Sequence, residues 1–259
     1  KCMNKRKIKK IVYQYFEQYN SEYYKTPQIN NIVITTDTNT WGEFDANLIH
    51  KKQYVLTINS KLFKEKETFV KQTLYHEFTH MYDSLCFLNH DEKSFRELMH
   101  IYSETHASEV EMDVILSTKT EDIITAQESM TLNKYMNDCL HSLEKQVIAS
   151  NQTEFDYRQI YYFVGKLISL KKHNIPYNFE FSPELPECFT TLFKEIINYF
   201  LNNTEYDDTL LLLFEQRMIS ALEDYITSSI PNFDFRSELN KIDTSGLLVD
   251  IFDRFNQDK

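Results

Sequence analysis

His76-Glu77-Phe78-Thr79-His80, inside the run 68–88, is the stretch from which the rest of the chain is read. Two histidines four positions apart on a helix project from one face, one turn above the other, so both imidazoles can reach a single metal ion. Glu77 points into the space beside that ion, where a carboxylate can take a proton from water and later return it. The surrounding residues keep a helical stripe through the motif: Phe69, Val70, Thr73, Leu74, Phe78, Met81, Tyr82 and Leu85, with no Gly or Pro interrupting it. A surface helix carrying two solvated histidines is the plain alternative. It supplies no third ligand, which has to come from outside the motif.

Upstream, Ile8, Ile11, Val12, Tyr15, Phe16 and Tyr19 recur at three- and four-residue spacing and predict a helix over 4–24, closed by Pro27. Three short strands come next, over 28–36, 41–46 and 54–59. The middle one, containing Trp41, Gly42 and Phe44, is the expected sheet edge, because glycine in a strand leaves room for close backbone approach. An extended peptide adds most readily to such an edge. Trp41 and Phe44 read equally well as core anchors.

Downstream, apolar residues from Phe95 to Leu116 predict a second long helix over 92–117. Within it lies Glu104-Thr105-His106-Ala107-Ser108. Glu104 is the expected third ligand, leaving the fourth position of the metal for water. Ser108, one turn on, is placed to hydrogen-bond a ligand from behind. His100, one turn before Glu104, competes with it for the metal. His100, Tyr102 and His106 are all candidates to donate a hydrogen bond to a developing oxyanion. Asp83 reads as a solvated helix residue rather than a support for the metal.

H-E-x-x-H on a helix is the pattern of zinc hydrolases. Glu104-x-x-Ala107-Ser108 after it resembles the gluzincin arrangement. The run Glu104-Thr-His-Ala-Ser-Glu-Val-Glu-Met-Asp-Val-Ile-Leu is similar to the third-ligand helix of the ImmA/IrrE metallopeptidases, and Leu56-Thr57-Ile58-Asn59-Ser60 resembles their strand before the motif. The resemblance spans residues 30–118, with Phe78-Thr79 standing where that family usually has Leu-Gly. It implies a minimal zincin-like catalytic domain over 1–118, with Zn2+ held by His76, His80 and Glu104 and with Glu77 as catalytic base. His100 and Tyr102 join Glu77 as candidate catalytic residues. It further implies a zinc metalloendopeptidase working in the cytoplasm of bacteria or on mobile elements, on a protein or peptide substrate such as a transcriptional repressor.

From 120 onward the chain reads as helices over about 121–150, 153–173, 184–202, 205–229 and 235–256, with prolines at the breaks. The expected fold class is therefore α+β and mostly helical: a short three-stranded sheet and two metal-holding helices, then a helical C-terminal region over 119–259 packed on the first part or beside it. The aromatic stretch 157–163 reads as core rather than a ligand-binding stripe.

Composition narrows the partners. The 259-residue chain carries a formal net charge of -11, which argues against direct nucleic-acid binding, and its one basic cluster (Lys5, Arg6, Lys7, Lys9, Lys10) reads as a solvated helix start. Four scattered cysteines suit a reducing compartment. No membrane-spanning run and no secretory leader are read, so the expected location is cytoplasmic. A catalytically silent zincin-like binding or regulatory protein is the rival reading, disfavoured by the intact Glu77. An externally acting toxin-like protease is a weaker third.

Overall fold

The computed structural model describes residues 3–36, 40–118, 123–124, 129–148 and 159–229. Helix α1 (Lys5–Glu22) starts where the Asn4 side chain accepts from the Lys7 N–H, and it buries Ile8, Val12, Phe16 and Tyr19 on one face. A small sheet comes next, made of β1 (Asn31–Thr35), β2 (Gly42–Phe44) and β3 (Val55–Asn59) in the order β1-β3-β2. β1 runs parallel to β3 and β2 antiparallel to it, with Ile32 opposite Leu56 and Gly42 opposite Ile58. Ile32, Phe44, Leu56 and Ile58 are all buried. β2 therefore lies at an edge, as its glycine suggested. Two short 3-10 segments serve as connectors: Ala46–Lys51 between β2 and β3, and Ser60–Lys64 between β3 and the next helix.

That helix, α2 (Glu67–Cys86), carries the motif. α1 backs it through aromatic contacts: Phe16 meets Phe78 edge-on at 5.3 Å, and Tyr19 meets Tyr75 at 5.2 Å and Phe78 at 5.6 Å. Thr79, the residue that departs from the usual Leu-Gly, is fully buried. Its hydroxyl lies 3.0 Å from the Tyr19 hydroxyl and donates to the Tyr75 carbonyl at 2.8 Å. The threonine thus satisfies a buried phenol, which an apolar residue there would leave unpaired.

The single helix expected over 92–117 is three pieces. α3 (Glu92–Leu98) is capped by Asp91, whose side chain accepts from Lys93 and Ser94 N–H; a π-helical turn (Met99–Ser103) comes after it; α4 (Glu104–Ser117) completes the rod. The wider turn re-phases the residues before Glu104 against those after it. Apolar periodicity does not reveal one extra residue per turn.

Beyond α4, residues Ile123–Ile124 (β4) and Ser129–Met130 (β5) pair antiparallel, so the helix expected from 121 begins only at α5 (Leu132–Ile148). The Thr131 hydroxyl accepts from the Lys134 N–H at 3.3 Å, a cap that the periodicity did not weigh. Then come α6 (Gln159–Lys172), α7 (Glu187–Asn202) and α8 (Asp208–Ser229). The helix expected over 235–256 lies outside the described residues, as does the start of the one expected over 153–173. The fold is mostly helical α+β, with one small three-stranded sheet.

α6 packs along α4. A Cβ at Gly165 would stand 2.2 Å from the Thr105 carbonyl oxygen and 2.7 Å from the Ser108 Cβ, so the two backbones meet where only glycine fits. One contiguous cluster of buried side chains runs from Ile8 through Val114 to Leu222, crossing the boundary expected at 118. His90, after α2, pairs with Asp208 at the start of α8 at 2.9 Å. Among the described residues, no helix is long and apolar enough to cross a membrane. Cys86, Cys139 and Cys188 are free thiols.

Gly165→Leu should destabilise the protein by about 1–3 kcal/mol or more through overpacking, because the atoms it would meet are largely backbone. Urea unfolding monitored by circular dichroism measures this. An unchanged midpoint would mean that the two helices do not cross there.

Candidate metal centre

α2 packs on α4, and beside that contact opens a cleft of about 440 Å³ lined by β2 residues, His76, Glu77, His80, Arg96, His100, Glu104 and Tyr162, among others. Both histidines sit on the α2 face turned to α4, one turn apart, as their spacing requires. Their Nε2 atoms are 3.0 Å apart. Glu104 Oε2 lies 3.5 Å from His76 Nε2 and 3.3 Å from His80 Nε2. A tetrahedral zinc-type site with bonds of ~2.0–2.1 Å needs ligand atoms about 3.3–3.4 Å apart. The three observed separations bracket that value, and His76, His80 and Glu104 form a group able to hold a divalent metal ion. Two imidazole nitrogens and a carboxylate oxygen are also the right donor types.

Each imidazole has its other nitrogen engaged. His80 Nδ1 is 2.7 Å from the Ser103 hydroxyl, and His76 Nδ1 is 3.6 Å from the Glu111 carboxylate. The Ser103 contact is of hydrogen-bond length and fixes which His80 nitrogen turns inward, whereas the Glu111 carboxylate, beyond hydrogen-bond reach of His76, biases that ring by its charge. Burial disfavours a charged His76, but the carboxylates of Glu104 and Glu111 outweigh it and push the imidazole up to about 10. Burial likewise disfavours the Glu104 anion, yet His80 and His76 hold it well below the usual carboxylate range. In the metal-free chain a proton on His76 therefore balances charge where a cation would otherwise do so.

Glu77 is buried, and its Oε2 accepts the Phe44 backbone N–H of β2 at 2.8 Å. Burial raises its pKa, while the charges of His76 and His80 pull the other way without cancelling that effect. A Cβ at Gly42 would come within 2.9 Å of Glu77 Cγ, so the missing side chain makes room for the glutamate. Phe44 is buried and Trp41 stands edge-on to Phe69 at 5.5 Å, so both anchor the strand.

His100 lines the same cleft but is not part of the group that converges on the ion position. Tyr102 is placed elsewhere. Its ring packs on Phe87 at 5.4 Å and on Tyr206 and His106 at 5.6 Å, and the structure does not bring it to the imidazole pair. His106 is also turned away, with Nδ1 2.9 Å from Asp83 Oδ1 and Nε2 2.9 Å from the Tyr24 hydroxyl. This corrects the reading of Asp83 as solvated: it is completely buried, because the histidine one helix away pairs with it. Ser108 touches neither ligand histidine and instead accepts from Lys166 Nζ at 3.0 Å.

Sequence reasoning did not single out Ser103 or Glu111, and it placed Tyr162 in an aromatic stretch read as core. Glu111 lies two turns beyond Glu104 on the same helix, and that seven-residue spacing was a usable signal. Ser103 depends on the π turn. Of the aromatic stretch, Tyr161 and Phe163 are buried core, while Tyr162 lines the cleft with its ring 6.1 Å from that of His76.

Comparison with known families gives one result. Residues 12–115 match the SprT-like family. That family is related to zincin-type metallopeptidases, and the matched segment spans most of α1, the sheet, α2 and nearly all of α4, including every residue of the candidate ligand group. No curated protein and no solved structure matches the chain.

Metal affinity should rise with pH, by roughly tenfold per unit through the neutral range, because the proton held on His76 up to about pH 10 has to leave before that nitrogen can ligate. Chelator competition at pH 6, 7 and 8 tests this, and a flat profile would contradict the proton balance described.

Proposed function

We propose that the chain is a zinc-dependent metallopeptidase of gluzincin type that hydrolyses peptide bonds in a protein or peptide substrate. The observation that carries the proposal is the placement of Glu77. A buried carboxylate with a raised pKa stands on the wall of the cleft that holds the His76–His80–Glu104 group, gripped by a backbone N–H. A site serving structure alone has no use for such a base.

Zinc held by His76, His80 and Glu104 would polarise a peptide carbonyl and make bound water acidic near neutral pH. The protein's own groups supply the rest. β2 lines the cleft as an edge strand, so an extended peptide can lie along it with its carbonyl facing the histidines. Glu77 removes a proton from the water that adds to the carbonyl carbon. The same proton then passes to the amine nitrogen as the C–N bond breaks, which leaves Glu77 ionised for the next turnover. A raised pKa suits this double duty, since the group must both accept and release a proton near neutrality. His100 and Tyr162, on the cleft wall, are the residues best placed to donate to the developing oxyanion, and Tyr102, packed on Phe87 and Tyr206, is not.

A repressor-type regulator as substrate rests only on the ImmA/IrrE resemblance of the α4 segment and the end of β3. A cytoplasmic setting rests on that resemblance and on the scattered thiols.

Glu77→Gln should bind zinc like the wild type and lose hydrolysis by roughly 10²–10⁴-fold. Zinc content by atomic emission, set beside turnover of a fluorogenic peptide library, separates the two effects. Undiminished hydrolysis in the variant would remove the base from the mechanism. Gly42→Ala should also lower kcat while sparing metal content, because its methyl group displaces Glu77.

A further inference from the structure

Every residue of the ligand group, and Glu111 behind His76, lies within the segment that matches the SprT-like family, but the lysine that faces Glu111 does not. The Glu111 carboxylate that faces His76 Nδ1 lies 4.0 Å from the Nζ of Lys166, on α6. Lys166 also donates to the Ser108 hydroxyl at 3.0 Å, and the rings of Tyr135 and Tyr162 flank its ammonium at 6.0 and 5.9 Å. The lysine is only 6% exposed. Burying an ammonium is costly unless charge and hydrogen bonds compensate, so a lysine in this place needs an acidic partner. Gly165, its neighbour, is the residue that lets the α6 backbone touch α4. Together they deliver a cation to the back of a metal ligand from more than fifty positions along the chain.

The same pair of helices contains a plainer ion pair for comparison. Lys172 donates to Asp113 Oδ2 at 2.6 Å, is half-exposed, and its acid also meets Ser169 and His173 but neither ligand histidine. That contact fastens α6 to α4. The Lys166 contact does something further, because its acid continues to His76.

We infer that Lys166 is a positioning residue for the metal centre. By fixing the Glu111 carboxylate against His76 Nδ1, it holds the imidazole with Nε2 turned toward His80 and Glu104. The inference rests on the metal-binding part of the proposed function and not on the peptidase chemistry.

The test is the zinc affinity of the full chain by chelator competition, for wild type, Lys166→Met, Lys166→Arg, Glu111→Gln and Lys172→Met. Loss of a group that orients a ligand typically weakens metal binding 10–100-fold. Lys166→Met and Glu111→Gln should each fall in that range. Lys166→Arg, which keeps the charge, and Lys172→Met should stay within about threefold of wild type. Circular dichroism of the metal-free variants shows which are folded; should Lys166→Met not fold, Glu111→Gln carries the comparison. Wild-type affinity in Lys166→Met or Glu111→Gln overturns the inference. An equal loss in Lys172→Met also overturns it, by reducing Lys166 to a helix fastener. Wild-type protein that takes up no zinc sinks the metal reading itself, whereas zinc uptake without hydrolysis sinks only the peptidase reading.

Discussion

An imidazole has two nitrogens, and a metal centre needs the correct one of them to face inward. In this protein that choice is made behind the rings. Ser103 holds Nδ1 of His80 and Glu111 faces Nδ1 of His76, which leaves both Nε2 atoms to converge with Glu104. The arrangement works only if α2 and α4 keep one separation and one rotation about their axes. Much of the remaining architecture serves that requirement: α1 backs α2, α6 presses on α4, and the edge strand β2 closes the end of the cleft where Glu77 sits.

The backing is polar as well as aromatic. Tyr19, Tyr75, Tyr24 and His106 all sit behind the face that carries His76 and His80, and their polar tips are satisfied by Thr79, Glu22 and Asp83 and by one another. Aromatic rings fill space with few rotatable bonds, and paired hydroxyls in a dry interior tolerate little displacement. A purely aliphatic layer would bury comparable area without fixing the rotation of α2 so closely.

How much of the molecule is legible in its sequence depends on how local each signal is. His76, Glu77 and His80 lie within five positions, so helical geometry alone places them together. Glu104 is legible from its residue type and from the helix around it. Asp83 misleads because an acidic residue on a helix is usually solvated; what buries it is His106, a partner on another helix that no pattern along α2 could announce. Ser103 reaches His80 beside a π turn that periodicity does not encode. Lys166 and Tyr162 come to the site through the α4–α6 crossing at Gly165, a long-range contact with no local signature. The fold class was accessible because strands and helices are written in apolar spacing. The resemblance to ImmA/IrrE metallopeptidases rests on α4 and on the end of β3, and residues 12–115 match the SprT-like family.

The bond from the Phe44 N–H to Glu77 joins the motif carboxylate to the cleft wall itself. A hydrogen bond to an ionised carboxylate is roughly twice as strong as one to a neutral acid. On the peptidase reading, each proton that Glu77 picks up slackens its hold on the end of β2, and each proton it gives away tightens it again. The strand that cradles the peptide would thus sense the progress of the cleavage, firm while the base waits and looser once the amine is ready to depart.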